Sequence, residues 1–197
     1  LKTAIDWSDK VAADPLGISA NFVAYIRNAK ALNIEASCGL VTKPSIFTAK
    51  TEEYAMARRL YLYSKGQPKT PLARELLAFA LSPAVQKVLK TSGFVDQDPE
   101  ALDFTGQTNR IAYALNAKGE DFDMALMRTL ITDLKPAKRL TTTFRFQTNS
   151  FALDTKAMSD VARLRDLLTS PAYSGKSVVL AGFADSVGSF ATNLKLA

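Results

Sequence analysis

The sequence contains no histidine and only one cysteine, Cys38. Without an imidazole base, neither a Ser-His-Asp triad nor a Cys-His pair can form, and zinc or copper sites that use histidine are excluded too. A single cysteine forms no internal disulfide and no cysteine-rich metal site, which suits a reducing compartment or a periplasmic protein without disulfides. We expect Cys38 to be a small buried residue.

Long apolar runs are also missing: none approaches the roughly 18 residues that a membrane-spanning helix needs. The 197 residues are 47% hydrophobic and 22% charged, which is typical of one or two globular domains. The net charge of +6 is spread evenly along the chain. The sequence lacks the dense basic patch that is typical of nucleic-acid-binding proteins. The most basic stretch fits a solvated linker or, alternatively, general attraction to a polyanion: Lys135, Lys138, Arg139 and Arg145.

Neither end of the sequence carries the usual terminal signals. The chain begins at Leu1 without a methionine or a signal peptide, and it stops at Ala197 inside a predicted helix with no terminating glycine or proline. We therefore expect a fragment, or a mature chain trimmed at both ends.

The first half predicts short strands followed by a helix pair. Strands are expected at 31–35 and, with alternating bulky side chains, over 54–63. A helix is expected over 21–27, and residues 36–52 have loop composition.

The helix pair has clear start and stop signals. Thr70 can cap the first helix, Pro71 suits its first position, the second follows Ser82-Pro83, and Gly93 can end it. The apolar stripe of the first helix is expected in the core: Leu72, Leu76, Phe79 and Ala80.

The second half begins with polar residues 96–107, where we place a boundary. Helices are expected over 110–115 and 123–134. Beyond them, we expect a strand around Phe144, a helix capped by Asp154 or Thr155, and a buried strand over 177–183. This order predicts a βαβ unit with parallel strands and a right-handed crossover.

The βαβ unit ends in five residues of fixed spacing: Gly182, Asp185, Gly188, Asn193 and Leu196. They fit the pattern G-x-x-D-x-x-G-x-x-x-x-N-x-x-L. With the aromatic first strand and the following helix, residues 139–197 thereby resemble the OmpA-like peptidoglycan-binding domain, an α/β sandwich.

The resemblance implies a site for diaminopimelate, whose free end is zwitterionic. Asp185 would bind the ammonium group, and an arginine expected three residues beyond Ala197 would bind the carboxylate. Asn193 would tie the loop to the helix, Gly188 would occupy a turn position with positive φ, and Asn149, with Ser150, would line the site. The alternative for Asp185 is a turn residue that accepts hydrogen bonds from its own loop.

Four segments in the first half carry a second resemblance: 13–18, 28–34, 54–63 and the helix pair that ends in Gly93-Phe94-Val95. They resemble the last third of a phosphate-binding periplasmic receptor of the ABC-transporter type. The phosphate ligands of that family lie on earlier segments, so we expect them upstream of Leu1. Arg58 and Arg59 are either anion contacts or members of surface ion pairs.

Taken together, the patterns predict an α/β chain in three parts. Residues 1–95 would be the C-terminal part of a type II periplasmic-binding-protein lobe or lobes, 96–138 a helical connector, and 139–197 the N-terminal half of an OmpA-like sandwich. The expected function is a non-enzymatic receptor for phosphate or another oxyanion in the periplasm of a diderm bacterium. Peptidoglycan would tether it, an ABC-transporter permease is a further partner, and no cofactor or metal is expected.

Three alternatives stay open. The chain could be an envelope scaffold or sensor that binds peptidoglycan without transporting a solute. It could be a hydrolase that uses two carboxylates, although Asp121 and Asp123 sit at a helix start, where acids cap anyway. It could also be an interaction protein with an open sheet edge, seen as a swapped or dimeric assembly.

Overall fold

The computed structural model describes residues 3–118, 122–146 and 152–183. The chain divides into two units, the first formed by 1–103 with 139–143 and the second by 104–138 with 144–197. The described residues contain helices and a few short strands, in agreement with a mixed α/β fold. None of the helices in these ranges has the length and apolar character required to cross a membrane.

The first unit combines helices with two small antiparallel sheets. Its strands are β1 (Ile34–Glu35), which pairs with β2 (Val41–Thr42), and β3 (Ala101–Leu102), which pairs with β4 (Arg139–Leu140). Its helices are α1 (Ala4–Ala13), α2 (Ile46–Lys50), α3 (Pro71–Ala80) and α4 (Pro83–Thr91), with a 3₁₀ turn at Val23–Tyr25.

The predicted helix pair is confirmed together with its caps. The Thr70 side chain accepts a hydrogen bond from the Ala73 amide at 3.3 Å, which caps α3. After α4, Gly93 adopts a φ of 75°. The Phe94 amide donates to the Leu89 carbonyl and the Gly93 amide to the Lys90 carbonyl, a Schellman motif that satisfies the last carbonyls of the helix.

The face of α3 that packs is different from the expected one. Leu72, Leu76 and Phe79 are exposed, at 75%, 65% and 46%, so the prediction that they lie in the core is wrong. The half-buried residues are Ala73, Leu77 and Ala80, which also follow i, i+4, i+7 spacing. Because α3 is apolar around most of its circumference, the sequence pattern does not select one face.

Before α3, the regular elements of the first half differ from the expected ones. No strand forms over 54–63, since no neighbouring strand pairs with it among the described residues. The helix expected over 21–27 is only the 3₁₀ turn, whereas α2 forms in the expected loop, where Ser45 caps it. Cys38 is exposed in the turn between β1 and β2, so the prediction that it is buried is wrong.

The described residues of the second unit contain three α-helices, α5 (Thr108–Leu115), α6 (Met124–Leu134) and α7 (Thr155–Leu168), and two short 3₁₀ helices, Phe104–Gln107 and Pro171–Tyr173. All three α-helices were predicted. Asp123 accepts hydrogen bonds from two amides at the start of α6, and Asp154 accepts one from the Ala157 amide at 2.7 Å at the start of α7. These carboxylates therefore serve as helix caps.

The parallel βαβ unit is not formed in the described part of the chain. Leu140 belongs to β4, which pairs antiparallel with β3, and residues 177–183 form no strand. Val179 and Leu180 are exposed there. A strand needs a hydrogen-bonding neighbour, and apolar, β-branched side chains alone do not supply one.

Candidate functional site

The residues predicted to bind peptidoglycan lie almost entirely outside the described ranges. Asp185, Gly188, Asn193 and Asn149 all fall there, as do Ser150 and Leu196. Of the five-residue motif, only Gly182 is described, and it is exposed. The diaminopimelate site therefore stays a prediction from sequence.

The arginines considered as anion contacts are engaged within the first unit. Arg59 Nη2 lies 3.0 Å from Glu52 Oε2 in a two-pronged ion pair, which confirms the surface-pair interpretation for this residue. The Arg58 guanidinium lies 4.6 Å from the centre of the Phe22 ring. Arg139, from the basic stretch, pairs with Glu53 at 3.2 Å between Nη1 and Oε2.

Lys50 and Asp96 are the centre of a buried ionic cluster. Their side chains are 5% and 1% exposed. Lys50 Nζ donates to Asp96 Oδ1 at 3.0 Å, to the Asp98 carbonyl at 2.8 Å and to Glu100 Oε1 at 2.6 Å. Because an ammonium group has three protons, every donor of Lys50 is used. Lys50 thus joins the C-terminal end of α2 to residues 96–100.

Residues of helix α4, and Thr141 directly after β4, also form hydrogen bonds with residues 96–100. Lys90 Nζ lies 3.0 Å from Asp98 Oδ2 and 3.5 Å from Asp96 Oδ1. The buried Gln86 side chain accepts a hydrogen bond from the Gln97 amide at 2.7 Å. The Glu100 amide donates to Thr141 Oγ1 at 2.9 Å. We call these residues the Lys50 cluster: Lys50, Gln86, Lys90, Asp96, Asp98, Glu100 and Thr141.

The cluster keeps its central carboxylate ionised. Burial acts to raise the pKa of Asp96, but the hydrogen bonds from Lys50 and from the Asp98 amide, together with the charges of Lys50 and Lys90, lower the pKa below its ordinary value. The pKa of Lys90 is raised, chiefly by its hydrogen bond to Asp98. Both effects favour the charged forms at neutral pH.

This arrangement indicates a structural role for the cluster rather than catalysis. The side chains of Lys50 and Asp96 are closed off from solvent, and Asp96 Oδ1 already accepts hydrogen bonds from Lys50 and from the Asp98 amide, so a substrate has no access to either group. The described residues also contain no group of three or more Asp, Glu or Cys residues that could hold a metal ion. The cluster fixes α2, α4 and residues 96–100 relative to one another.

The cluster predicts acid sensitivity of the first unit. Because the folded pKa of Asp96 is lowered, its contribution to stability is complete above its unfolded pKa of about 3.9 and is lost as the pH falls through the folded value. We expect the urea midpoint, followed by fluorescence of Trp7, to fall more between about pH 5 and about pH 3 in the natural protein than in Asp96→Asn. Equal pH slopes would contradict this assignment.

The cluster was not predicted, because residues 96–107 have the polar composition of a domain boundary. Asp96, Asp98 and Glu100 do carry a signal, since a period of two places three side chains on one face of an extended segment. Three carboxylates on one face repel one another, and nearby cations relieve that repulsion. Which cations do so depends on contacts between distant parts of the chain.

Comparisons with protein-family models, with curated proteins and with solved structures found no match to this chain.

Proposed function

We propose that the chain is a non-enzymatic binding protein of a bacterial cell envelope, tethered to peptidoglycan through residues 139–197. The observation that carries this proposal is the spacing of Gly182, Asp185, Gly188, Asn193 and Leu196. Five positions at fixed intervals, after a helix that begins at the capping residue Asp154, make chance agreement a poor explanation.

The chemistry of diaminopimelate fits the residue types in this motif. Its free end carries an ammonium group next to a carboxylate, and a fixed carboxylate such as that of Asp185 suits the ammonium group. Asn149 and Asn193 would add neutral hydrogen bonds, and Gly188 would let the loop turn. Binding of this kind needs no cofactor.

Residues 1–95 would act as the receptor-like module, for phosphate or another oxyanion. Support comes from four segments whose sequences resemble such a receptor, among them the helix pair that ends in Gly93-Phe94-Val95. We assign no residue of this chain to the anion. A scaffold or sensor that binds peptidoglycan without transporting a solute is the alternative.

The peptidoglycan proposal is tested by co-sedimentation of the full-length protein with sacculi that contain diaminopimelate. Asp185→Ala should weaken binding by at least about tenfold, since a hydrogen-bonded charge contact is worth about 1.5–3 kcal/mol. The matched control is Asp166→Ala, which removes an exposed carboxylate of α7 that pairs with the adjacent Arg165. Sacculi with lysine in place of diaminopimelate should bind less. Equal binding by the two variants would refute the site.

The receptor part of the proposal has its own test. Isothermal calorimetry of the full-length protein with inorganic phosphate, and separately with sulfate, should give a saturable heat for one of the two anions. Absence of heat with both, alongside normal binding to sacculi, would remove the receptor role and leave the scaffold or sensor.

A further inference from the structure

Leu60, Tyr61, Leu62 and Tyr63 form a segment that is apolar on both sides and exposed. Their exposed fractions run from 61% at Tyr61 to 90% at Tyr63. The rings of Tyr61 and Tyr63 lie 6.1 Å apart, as expected when alternate residues of an extended chain share one side. Leu60 and Leu62 then share the other side. A segment that is apolar on both sides is typical of a strand that is buried on both faces of a sheet.

The backbone of this segment is equally unpartnered. None of these four residues exchanges a backbone hydrogen bond with another described residue. A row of free N–H and C=O groups on an extended, β-prone segment is the structural requirement for adding a strand from another chain. Main-chain hydrogen bonds would supply affinity, and alternate side chains would supply specificity.

The charged residues that flank the segment in the sequence are all basic. Between Glu53 and Glu75 the sequence contains no acidic residue and five basic ones: Arg58, Arg59, Lys65, Lys69 and Arg74. Arg59 is paired with Glu52, but Lys65 and Lys69 are exposed and have no acidic partner in the part of the chain that the structure describes. The surroundings therefore favour a partner that carries negative charge.

The same charges disfavour a second copy of this chain as the partner. Antiparallel pairing of two Leu60–Tyr63 segments would place Lys65 of one copy opposite Arg58 of the other. Parallel pairing would place each cation beside its own equivalent. Like charges directly opposite each other destabilise a strand pair, so the occupant should differ from this chain.

We propose that Leu60–Tyr63 is a docking strand for an extended apolar segment of a partner protein that carries acidic residues beside its apolar core. The partner strand pairs with the free backbone groups, and its acids face Lys65 and Lys69. This interaction is separate from the binding of peptidoglycan or of an anion.

The test uses two blocked peptides with the same Val-Thr-Val-Thr-Val core, one flanked by pairs of Glu and the other by pairs of Lys. With the full-length protein at low salt, the Glu peptide should bind at least about tenfold more tightly, and added salt should reduce that advantage. Bound Glu peptide should slow hydrogen exchange by at least about tenfold at alternate amides of the segment, those of Leu60 and Leu62 or those of Tyr61 and Tyr63. Equal affinities, or protection elsewhere only, would overturn the proposal.

Two variants separate backbone pairing from charge attraction. Leu62→Pro and Tyr61→Pro each remove an amide that makes no hydrogen bond within the protein, one on each edge of the segment. One of the two variants should weaken binding of the Glu peptide at least about tenfold, and both should leave the urea midpoint unchanged. Leu62→Thr, which keeps the amide, should bind within about threefold of the natural protein. The pair Lys65→Glu and Lys69→Glu should reverse the preference between the peptides. Unchanged affinity in both Leu62→Pro and Tyr61→Pro would refute strand addition.

Two observations without peptide would also overturn the proposal. Concentration-dependent dimers in sedimentation velocity that Leu62→Pro abolishes would identify a second copy as the occupant. Amides of Leu60–Tyr63 that are already protected in the free full-length protein would show that another part of the same protein covers the segment.

Discussion

Asp96→Ala should lower the free energy of unfolding of the first unit by about 3–5 kcal/mol, the usual cost of removing one partner of a buried ion pair. The Lys50 side chain, which is 95% buried, would keep only the Glu100 carboxylate and the Asp98 carbonyl as hydrogen-bond acceptors. The Asp98 amide would lose its acceptor as well. Both effects follow from the position of Asp96 between α2 and α4.

The measurement is urea unfolding at pH 7, followed by the fluorescence of Trp7, the single tryptophan, which lies in the first unit. Asp98→Ala is the matched control. Its side chain is half exposed, and the carbonyl that Lys50 uses is retained, so a loss of at most about 1 kcal/mol is expected. Similar losses in the two variants would show that the carboxylate of Asp96 has no special role.

A double variant distinguishes the ion pair from the packing around it. Lys50→Met combined with Asp96→Leu replaces both charges by apolar groups of similar size. Such replacements of buried pairs are often neutral or stabilising, so the double variant should be more stable than Asp96→Ala. If it is less stable, the hydrogen bonds to the Asp98 and Glu100 groups carry more of the stability than the pair itself.

The helices from α3 to α7 were predictable because their signals are local. Thr70 with Pro71 starts α3, Asp123 starts α6 and Asp154 starts α7, and each signal involves residues within four positions of one another. A cap satisfies amides of its own helix and needs no distant partner. The same chemistry works in any fold, so sequence alone suffices.

The strands were less predictable because pairing is not local. Residues 54–63 and 177–183 have the composition of strands, yet neither forms one in the described structure. The strands that do form are two residues long, and 36 residues, 103–138, separate β3 from β4 in the sequence. Side-chain alternation indicates which segments can form strands but does not identify the strands with which they pair.

The ionic cluster illustrates the same limit for a site. Lys50 lies 46 positions before Asp96 and 50 before Glu100. Nothing in the local sequence of α2 distinguishes Lys50 from the exposed lysines of the chain. The acidic residues at every second position from 96 to 100 can be recognised in the sequence, but the packing of this segment depends on Gln86 of α4 and on Thr141.

Gly93→Ala is expected to cost about 2–3 kcal/mol, and Gly66→Ala only about 1 kcal/mol. Both glycines have positive φ, 75° and 69°, so both variants incur the left-handed penalty for a residue with Cβ. A Cβ at Gly93 would also meet Ala24 Cα at 3.1 Å, whereas one at Gly66 would meet nothing within 4 Å. The difference between the urea midpoints of the two variants therefore measures the contact with Ala24, and equal midpoints would contradict it.

Gly93 also sets the direction of the chain three residues before Asp96. Its Schellman motif turns the backbone from α4 into Phe94 and Val95, which lead directly to the buried carboxylate. A shift of the backbone away from Ala24 would move Asp96 relative to Lys50. Gly93→Ala and Asp96→Ala should therefore be less than additive when combined, because neighbouring sites that share one structural element couple. Strict additivity in urea unfolding would show that the helix end and the ionic cluster are independent.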